Sequence, residues 1–375
     1  MRGLAGKVYK GKGCKSEPSN YRPISILPIL ARTLEKLAAA QLNSYCSERA
    51  VIPDEQFGFC SRSSCEHALL KAMDGWYGAV DEGAWVGTLL IDLSKAFDTV
   101  PHQLLVSELA AAGCGVGACE WFGSYLTGRE QRVLRGHECT PWMKVTKGVP
   151  QASCLSPLLF NIFVRNLPAS CTSDTVQFAD DITNSAADKD ISVVAQKLTT
   201  SFDQIQEFCS SHQLTINIGK TQLMVMKTAN RKLPKDFQLT LDGIAIKPLS
   251  SVKILGVTID QHLTMGEHID KVVKKGNGLL GALVRASPFL PRQLLRMAYI
   301  SLVRTHLEYC SALLHPAAKT HLKKLDIIQK KAARIIYGVP RTAHAAPLLK
   351  ALNLQSLGDR RRAHISGLVE AIYDC

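Results

Sequence analysis

The feature that most constrains this chain is a pair of adjacent acids inside an apolar run, Val176-Gln177-Phe178-Ala179-Asp180-Asp181-Ile182-Thr183. Neighbouring carboxylates repel each other, and each is costly to desolvate. The pattern reads as two short strands over residues 176–185, joined at Asp180-Asp181. A second apolar run, residues 86–93, reads as a buried strand with Asp92 near its end. Successive strand residues face opposite sides, so either Asp180 or Asp181 is expected to be the main partner of Asp92. A divalent cation removes the cost of gathering these charges. Two such ions ~3.5–4 Å apart suit phosphoryl transfer, which needs carboxylates converging from neighbouring strand ends. A solvated turn explains an Asp-Asp pair better when the pair stands alone.

The rest of the chain is a series of periodic segments broken by turn signals, with no internal repeat or low-complexity linker. Residues 30–44 read as an amphipathic helix anchored by Leu30, Leu34, Leu37 and Leu42. Pro101 suits the first turn of a helix, and Pro157 opens another over Ser156–Leu167. Asp188 or Asp190 is expected to cap a long helix with Ile191, Val194, Ala195, Leu198, Phe202 and Ile205 on one face. A strand is expected over Leu223–Met226, and Asp242-Gly243 marks a hairpin within Leu239–Ile246. Beyond residue 270 the pattern is helical, with Gly338 and Pro340 ending one long helix. The expected order is a helical N-terminal part, a mixed centre and a helical tail.

Charge separates the tail from the rest. The chain carries 45 basic and 32 acidic residues, a net +13. Residues 271–375 hold 18 basic and 5 acidic residues, whereas residues 1–270 hold 27 of each. All the excess therefore lies in the last part, as in a segment that faces a polyanion such as nucleic acid. Solvated helix faces account for it about equally well. No stretch approaches the ~18 apolar residues of a membrane span. Met1–Lys7 has no long apolar core, so no signal peptide is expected. The twelve cysteines form no C-x-x-C pair, which fits a reducing compartment. Cys60 with Cys65 and His67 comes nearest to a metal cluster; it reads as ordinary thiols, with zinc as the lesser alternative. Gly6-x4-Gly11-Lys12 has the outline of a phosphate loop, but Gly13 stands where Ser or Thr is needed, and too few residues precede it for the required strand.

Longer motifs make the case specific. Thr88–Val100 (TLLIDLSKAFDTV), Gly148–Phe160 (GVPQASCLSPLLF) and Phe178-Ala179-Asp180-Asp181 resemble, in order, the three main catalytic motifs of non-LTR (LINE-type) retrotransposon reverse transcriptases. Tyr21–Ser25 and Gln56–Phe59 resemble the fingers blocks of that family. Leu214–Asn217 with Lys220-Thr221 resembles its fourth palm motif, and Lys253–Val257 its primer-grip region. One short motif is weak evidence, but seven in the right order are not. The resemblance spans about residues 7–340.

It implies an α+β right-hand polymerase with fingers, a palm with an antiparallel sheet, and a helical thumb. The reverse transcriptase domain would cover residues 1–260 (fingers about 1–84, palm about 85–260), and the basic thumb and C-terminal region residues 261–375. The implied activity is RNA-directed DNA polymerisation from dNTPs, extending a DNA 3′-hydroxyl on an RNA template, and in the full family context target-primed reverse transcription. Asp92, Asp180 and Asp181 would bind two Mg²⁺, with Mn²⁺ as the alternative ion. Phe97 would exclude a ribose 2′-hydroxyl. Arg22, Gln151 and Ala152 would lie at the incoming nucleotide, Lys220 near the leaving pyrophosphate, and Leu255 and Gly256 at the primer grip. Lys319, Lys323, Lys324, Lys330, Lys331 and Arg334, on one helix, would face the duplex, with Leu322, Leu325, Ile328, Ala332 and Ile335 packed inward. For Phe97 the competing reading is a core aromatic, for Arg22 and Gln151 ordinary hydrogen bonding, and for Lys220 a solvated lysine. Asp98, six residues past Asp92, is expected to hydrogen-bond structurally.

The sequence departs from the family pattern twice. Ala152 stands at the usual glycine of GVPQG, and Cys60 at the usual arginine after QFGF, with Arg62 nearby as compensation. The family also implies an upstream endonuclease domain, so the chain is expected to be an incomplete element: a fragment, a truncated copy or a domesticated remnant. Two other readings stand beside the polymerase: a catalytically weak nucleic-acid-binding remnant and a group II intron maturase-like enzyme. The family implies an intracellular location, in cytoplasm and nucleus.

Overall fold

A computed structural model of the chain describes residues 2–373 apart from 12, 136 and 137, so Met1, Lys12 and Cys375 lie outside the described residues. In chain order the first elements are strands β1 (Arg2–Tyr9) and β2 (Tyr21–Ile26), helices α1 (Ile29–Glu48) and α2 (Cys65–Asp81), and strand β3 (Trp85–Asp92). Helices α3 (Ala96–Thr99), α4 (His102–Ala111) and α5 (Val116–Leu126) follow, then strands β4 (Arg129–Arg135), β5 (Glu138–Cys139) and β6 (Met143–Val145). Helix α6 (Ser156–Phe163) leads to β7 (Asp174–Phe178), β8 (Asp181–Asp188) and helix α7 (Ile191–Ser211). Next come β9 (Gln222–Met226), β10 (Leu239–Leu241), β11 (Ile244–Ile246), β12 (Pro248–Leu249), β13 (Ser251–Ile254) and β14 (Val257–Asp260). The remainder is helical: α8 (Gly266–Ala286), α9 (Arg292–Ala298), α10 (Thr305–Leu307), α11 (Lys319–Tyr337), α12 (Ala345–Ala351) and α13 (Leu357–Tyr373). The chain divides into two compact units, neither contiguous in sequence.

The first unit comprises residues 1–64, 85–223 and 233–248. At its centre β3 pairs antiparallel with β8, and β8 with β7. Nearly every residue of β3 is buried, as a continuous apolar run predicts. Gly87 is required there: a Cβ would meet Leu198 at 2.6 Å and Val194 at 2.7 Å. That lets α7 lie close on the strand, with Val194, Leu198, Phe202 and Ile205 buried beneath it. Asp190 caps α7, accepting a hydrogen bond from the Ser192 N–H at 2.9 Å. The Asp242-Gly243 hairpin forms between β10 and β11, with φ +48° and +74° at its two turn residues.

Two expectations for this unit are corrected. The N-terminal part is not simply helical: β1 pairs antiparallel with β2 and parallel with β4, more than 120 positions along the chain. A partner that distant leaves no local signal. Helix α1 forms, but Leu30, Leu34 and Leu37 face solvent, while Glu35, Leu42 and Cys46 are buried. The buried face is chosen by partners for the Glu35 carboxylate, described below, and not by the leucine stripe. Smaller shifts follow the same turn chemistry. Pro101 caps α4 from outside its first turn, α6 stops at Phe163, and the hairpin turn is Ala179-Asp180, so that Asp181 opens β8.

The second unit comprises residues 65–84, 224–232 and 249–375. The β13–β14 hairpin packs with α8, and α8 packs along α11. Close packing is helped at Gly276, where a Cβ would sit 3.3 Å from Ile328. Helix α11 ends at Gly338, with φ +66° in the left-handed cap that glycine favours. On its inner face Leu325, Ile328 and Ala332 are buried, and Leu322 and Ile335 are half-buried.

Candidate active site

The β3–β8 register makes Asp92 and Asp181 direct partners across the two strands. Asp180 occupies the turn between β7 and β8, beside Ala179 at φ +57°. All three acids thus share one end of one strand pair. Burial raises the Asp180 carboxyl above its ordinary value, Asp92 adds to that, and the Arg22 guanidinium opposes it. Asp181 is pushed up to about 6, first by desolvation, then by repulsion from Asp180 and Asp92. Asp92 itself is held by Lys220, whose Nζ donates to Oδ2 at 3.1 Å.

Lys220 reaches that oxygen because the chain returns beside β3. The Ser94 N–H donates to the Thr215 carbonyl and the Asn217 N–H to the Asp92 carbonyl, each at 2.8 Å. A short turn, Ile218–Lys220, then presents the lysine. Among the described residues no three His, Cys, Asp or Glu side chains are already gathered in a metal-holding cluster. The donor chemistry nevertheless fits a hard divalent cation. The acids offer oxygen ligands only, and the raised proton affinity of Asp180 and Asp181 is what an adjacent cation would reverse.

The turn carrying Asp180 is clamped by a residue that sequence reasoning did not single out for this role. Buried Gln56 accepts from the Ala179 and Gly58 N–H groups through Oε1, both at 2.8 Å. Its Nε2 donates to the Ala179 carbonyl at 3.4 Å. Gly58 lies so close to the turn that a Cβ would meet the Ala179 nitrogen at 2.3 Å. The signal was present in the Gln56-Phe57-Gly58-Phe59 block, but its partner lies 123 residues away.

The GVPQA segment forms a β-turn over Pro150–Ser153, closed by the Ser153 N–H to the Pro150 carbonyl at 3.1 Å. Its third residue, Ala152, has φ +72° and is exposed. That position of a type II turn demands a positive φ and hence glycine. Gln151 donates from Nε2 to Asp98 Oδ1 at 2.8 Å, and its carbonyl accepts from the Ser25 N–H at 3.0 Å. Asp98 therefore holds Gln151, in the hydrogen-bonding role expected of it, and burial raises its carboxyl above the ordinary value. Gly148 is also obligatory, with φ +88° and room for a Cβ only 2.6 Å from the Asp98 carbonyl oxygen. Half-buried Phe97 stacks on buried Phe160, with ring centroids 4.6 Å apart. Arg22 is exposed. Half-buried Cys60 donates through its thiol to the Gln56 carbonyl at 3.1 Å.

In the second unit, Leu255 and Gly256 form the two-residue turn of the β13–β14 hairpin, at φ +46° and +90°. The Tyr309 hydroxyl donates to the Leu255 carbonyl at 2.7 Å. On α11, Lys324 pairs with Asp270 at 2.6 Å, Lys331 donates to Asn277 at 3.0 Å, and Arg334 donates to the Ala343 carbonyl at 2.7 Å. Lys319, Lys323 and Lys330 are exposed.

The model of the reverse transcriptase (RNA-dependent DNA polymerase) family matches residues 10–259. The chain belongs to this family. Its relatives are RNA-directed DNA polymerases of non-LTR retrotransposons, the kind its motifs resemble. The probable RNA-directed DNA polymerase from transposon BS of Drosophila melanogaster is 26% identical over 375 residues, covering 96% of this chain and 41% of that protein. The RNA-directed DNA polymerase from mobile element jockey of Drosophila funebris is 28% identical over 359 residues, covering 92% and 38%. The chain thus spans about two-fifths of the length of the curated relatives it matches. A telomerase structure from Candida tropicalis, in complex with a telomeric RNA fragment, aligns with TM-score 0.48 and 10% identity over 94% of this chain and 64% of that one. So distant a likeness adds nothing to the family assignment.

Proposed function

We propose that this reverse transcriptase chain extends a DNA 3′-hydroxyl along an RNA template from dNTPs, as the polymerase portion of a non-LTR retrotransposon. The observation that carries this reading is the register opposing Asp92 to Asp181, with Asp180 in the adjoining turn. Asp92, Asp180 and Asp181 would hold Mg²⁺, or Mn²⁺ in its place. The bound ions would activate the 3′-hydroxyl and neutralise charge on the phosphates.

The chain's own groups orient the reactants. Arg22 would meet phosphate oxygens. Gln151, fixed by Asp98, and the Ala152 backbone would border the nucleotide, and Phe97 would wall off a 2′-hydroxyl. Lys220 would release Asp92 and turn to the departing pyrophosphate. Leu255 and Gly256 would support the primer strand, and the cations of α11 its duplex. In this reading residues 1–84 serve as fingers, 85–260 as palm and 261–375 as thumb. Primer extension on an RNA template with dNTPs and Mg²⁺ tests it. Product is expected from the wild type and is expected to vanish in Asp180→Asn. Equal product from both, or none from the wild type, overturns the reading.

A second reading, a nucleic-acid-binding protein of weak catalytic power, is favoured by the strained φ of +72° at Ala152.

A further inference from the structure

Helix α1 is turned the wrong way for its hydrophobic stripe, and the reason is one carboxylate. Glu35 is 2% exposed, while leucines of the same helix face solvent. Burying a carboxylate is unfavourable unless its oxygens are well hydrogen-bonded. Both oxygens of Glu35 are satisfied. Oε1 accepts from the Tyr125 hydroxyl at 2.5 Å, and Oε2 from the Ser153 hydroxyl at 2.8 Å. The two hydroxyls lie 3.3 Å apart. No ion pair reaches Glu35 among the described residues. The carboxylate thus joins α1, α5 and the Pro150–Ser153 turn, across 90 and 118 residues of sequence.

Ser153 is the inner anchor of that turn. Its N–H closes the turn on Pro150, and its hydroxyl accepts from the Leu155 N–H at 3.1 Å while donating to Glu35. Two residues earlier, Gln151 is held on its side chain by Asp98 and on its carbonyl by Ser25. The turn is therefore fixed at three points, two of them carboxylates, and Glu35 is the more deeply buried of those two, Asp98 being half-buried. A neutral apolar residue would pack there at less desolvation cost. What it would lack is a rigid, directional grip on Ser153.

We propose that Glu35 is a positioning residue for nucleotide binding: through Ser153 it sets the turn that presents Gln151 and the Ala152 backbone to the incoming dNTP. The proposal rests on the polymerase reading for its substrate, but the grip of Glu35 on the turn does not.

The test therefore has two arms, using Glu35→Gln, Ser153→Ala and the double variant in the full chain. In the first arm, amide hydrogen exchange is followed at Ser153 and Leu155. Exchange there should rise about tenfold in Glu35→Gln, with the amides of α7 unchanged. In the second arm, primer-extension kinetics should show KM for dNTP raised roughly tenfold, with KM for primer–template within about twofold. The double variant should be no worse than the worse single one, because both cut the same link. Glu108→Gln, which breaks the half-buried pair of Glu108, on α4, with Arg165, is the stability control. It should lower Tm and leave KM for dNTP alone.

Unchanged exchange at Ser153 and Leu155 overturns the proposal whether or not the protein polymerises. Additive effects, or a KM rise matched by Glu108→Gln, also overturn it by reducing Glu35 to a general support of the fold. The exchange response in Glu35→Gln, together with a wild type that extends no primer, rejects the polymerase reading, and with it the dNTP as the turn's ligand. Should Glu35→Gln fail to fold, Glu35→Asp, which shortens the reach to Ser153 and leaves the Leu155 N–H its acceptor, carries both arms.

Discussion

Ala152→Gly tests the strain at the nucleotide turn directly. Ala152 holds φ +72° at the third position of its turn. In the left-handed region an L side chain costs about 1–2 kcal/mol. Glycine removes that cost but gives back about 0.5–1 kcal/mol through the greater freedom of its unfolded chain. The balance is a stabilisation between about 0 and 1.5 kcal/mol, so Tm should rise by no more than about 5 °C. Catalysis should respond more. The methyl group is exposed beside Gln151, on the surface assigned to the nucleotide. If the bound state bears about 1 kcal/mol of this strain or crowding, its removal raises kcat/KM about fivefold. Steady-state primer extension on an RNA template, with calorimetric melting on the same preparations, measures both. Ala152→Val, β-branched at a positive φ, should move both quantities the other way. Equal kcat/KM for the alanine and glycine forms would refute crowding at this site. A fall of several degrees in Tm for the glycine form would refute the strain.

Four further outcomes are expected. Phe97→Val should admit ribonucleotides and also lower Tm, because the ring it removes stacks on Phe160; unchanged sugar preference in nucleotide-competition assays rejects the gate. Neutralising exposed Lys319, Lys323 and Lys330 should reduce the salt dependence of duplex binding by up to ~2–3 in log–log slope, whereas neutralising Lys324, Lys331 and Arg334, which are engaged within the fold, should cost stability more than slope. Because the Asp181 carboxyl is pushed up to about 6, protons compete with metal there. Mg²⁺ half-saturation, followed by titration across pH 5–8, should be flat above about 7 and rise as pH falls through about 6; without metal the same raised value favours the fold at low pH, and that contribution should be lost as pH climbs from about 4 through about 6. Gly58→Ala should cost both stability and activity, since its Cβ would lie 2.3 Å from the Ala179 nitrogen beneath the acidic turn; normal melting and normal extension would show that the turn yields freely.

What the sequence disclosed was whatever is encoded locally. The acidic hairpin, the strand before Asp92, the Asp242-Gly243 turn, the Asp190 cap and the Gly338 stop each depend on a few adjacent residues, and each formed. Those signals carried the candidate site as well, because Asp92, Asp180 and Asp181 lie at strand ends that short motifs define. What stayed hidden depends on distant partners. Gln56 belongs to a recognisable block, but its clamp on the acidic turn is invisible until Ala179 is beside it, 123 residues away. Glu35 reads as a solvent-facing acid because its leucine neighbours outweigh it in any periodicity; its partners on α5 and in the 150–153 turn reverse that face. The N-terminal part reads as helical, and β1 is missed because the strand that pairs parallel to it, β4, is encoded after five helices.

Helix α2 carries a consequence for how this protein is made. Its buried residues, among them Leu69, Met73 and Trp76, belong to a unit otherwise drawn mostly from beyond residue 249. The Tyr77 hydroxyl waits for the Leu263 carbonyl, and Glu66 for the Ala312 N–H, 246 residues downstream. At roughly 5–20 residues per second a ribosome needs about 12–50 s to supply that amide. Until then an apolar helix face worth about 1.5–3 kcal/mol per large side chain lacks part of its native cover. Nascent chains of this protein should therefore be held by chaperones at α2 and released only late in synthesis. For the same reason a polypeptide cut at residue 259, where the family match stops, would keep α2 and discard its partners; it should be recovered aggregated even though it retains all three acids of the site.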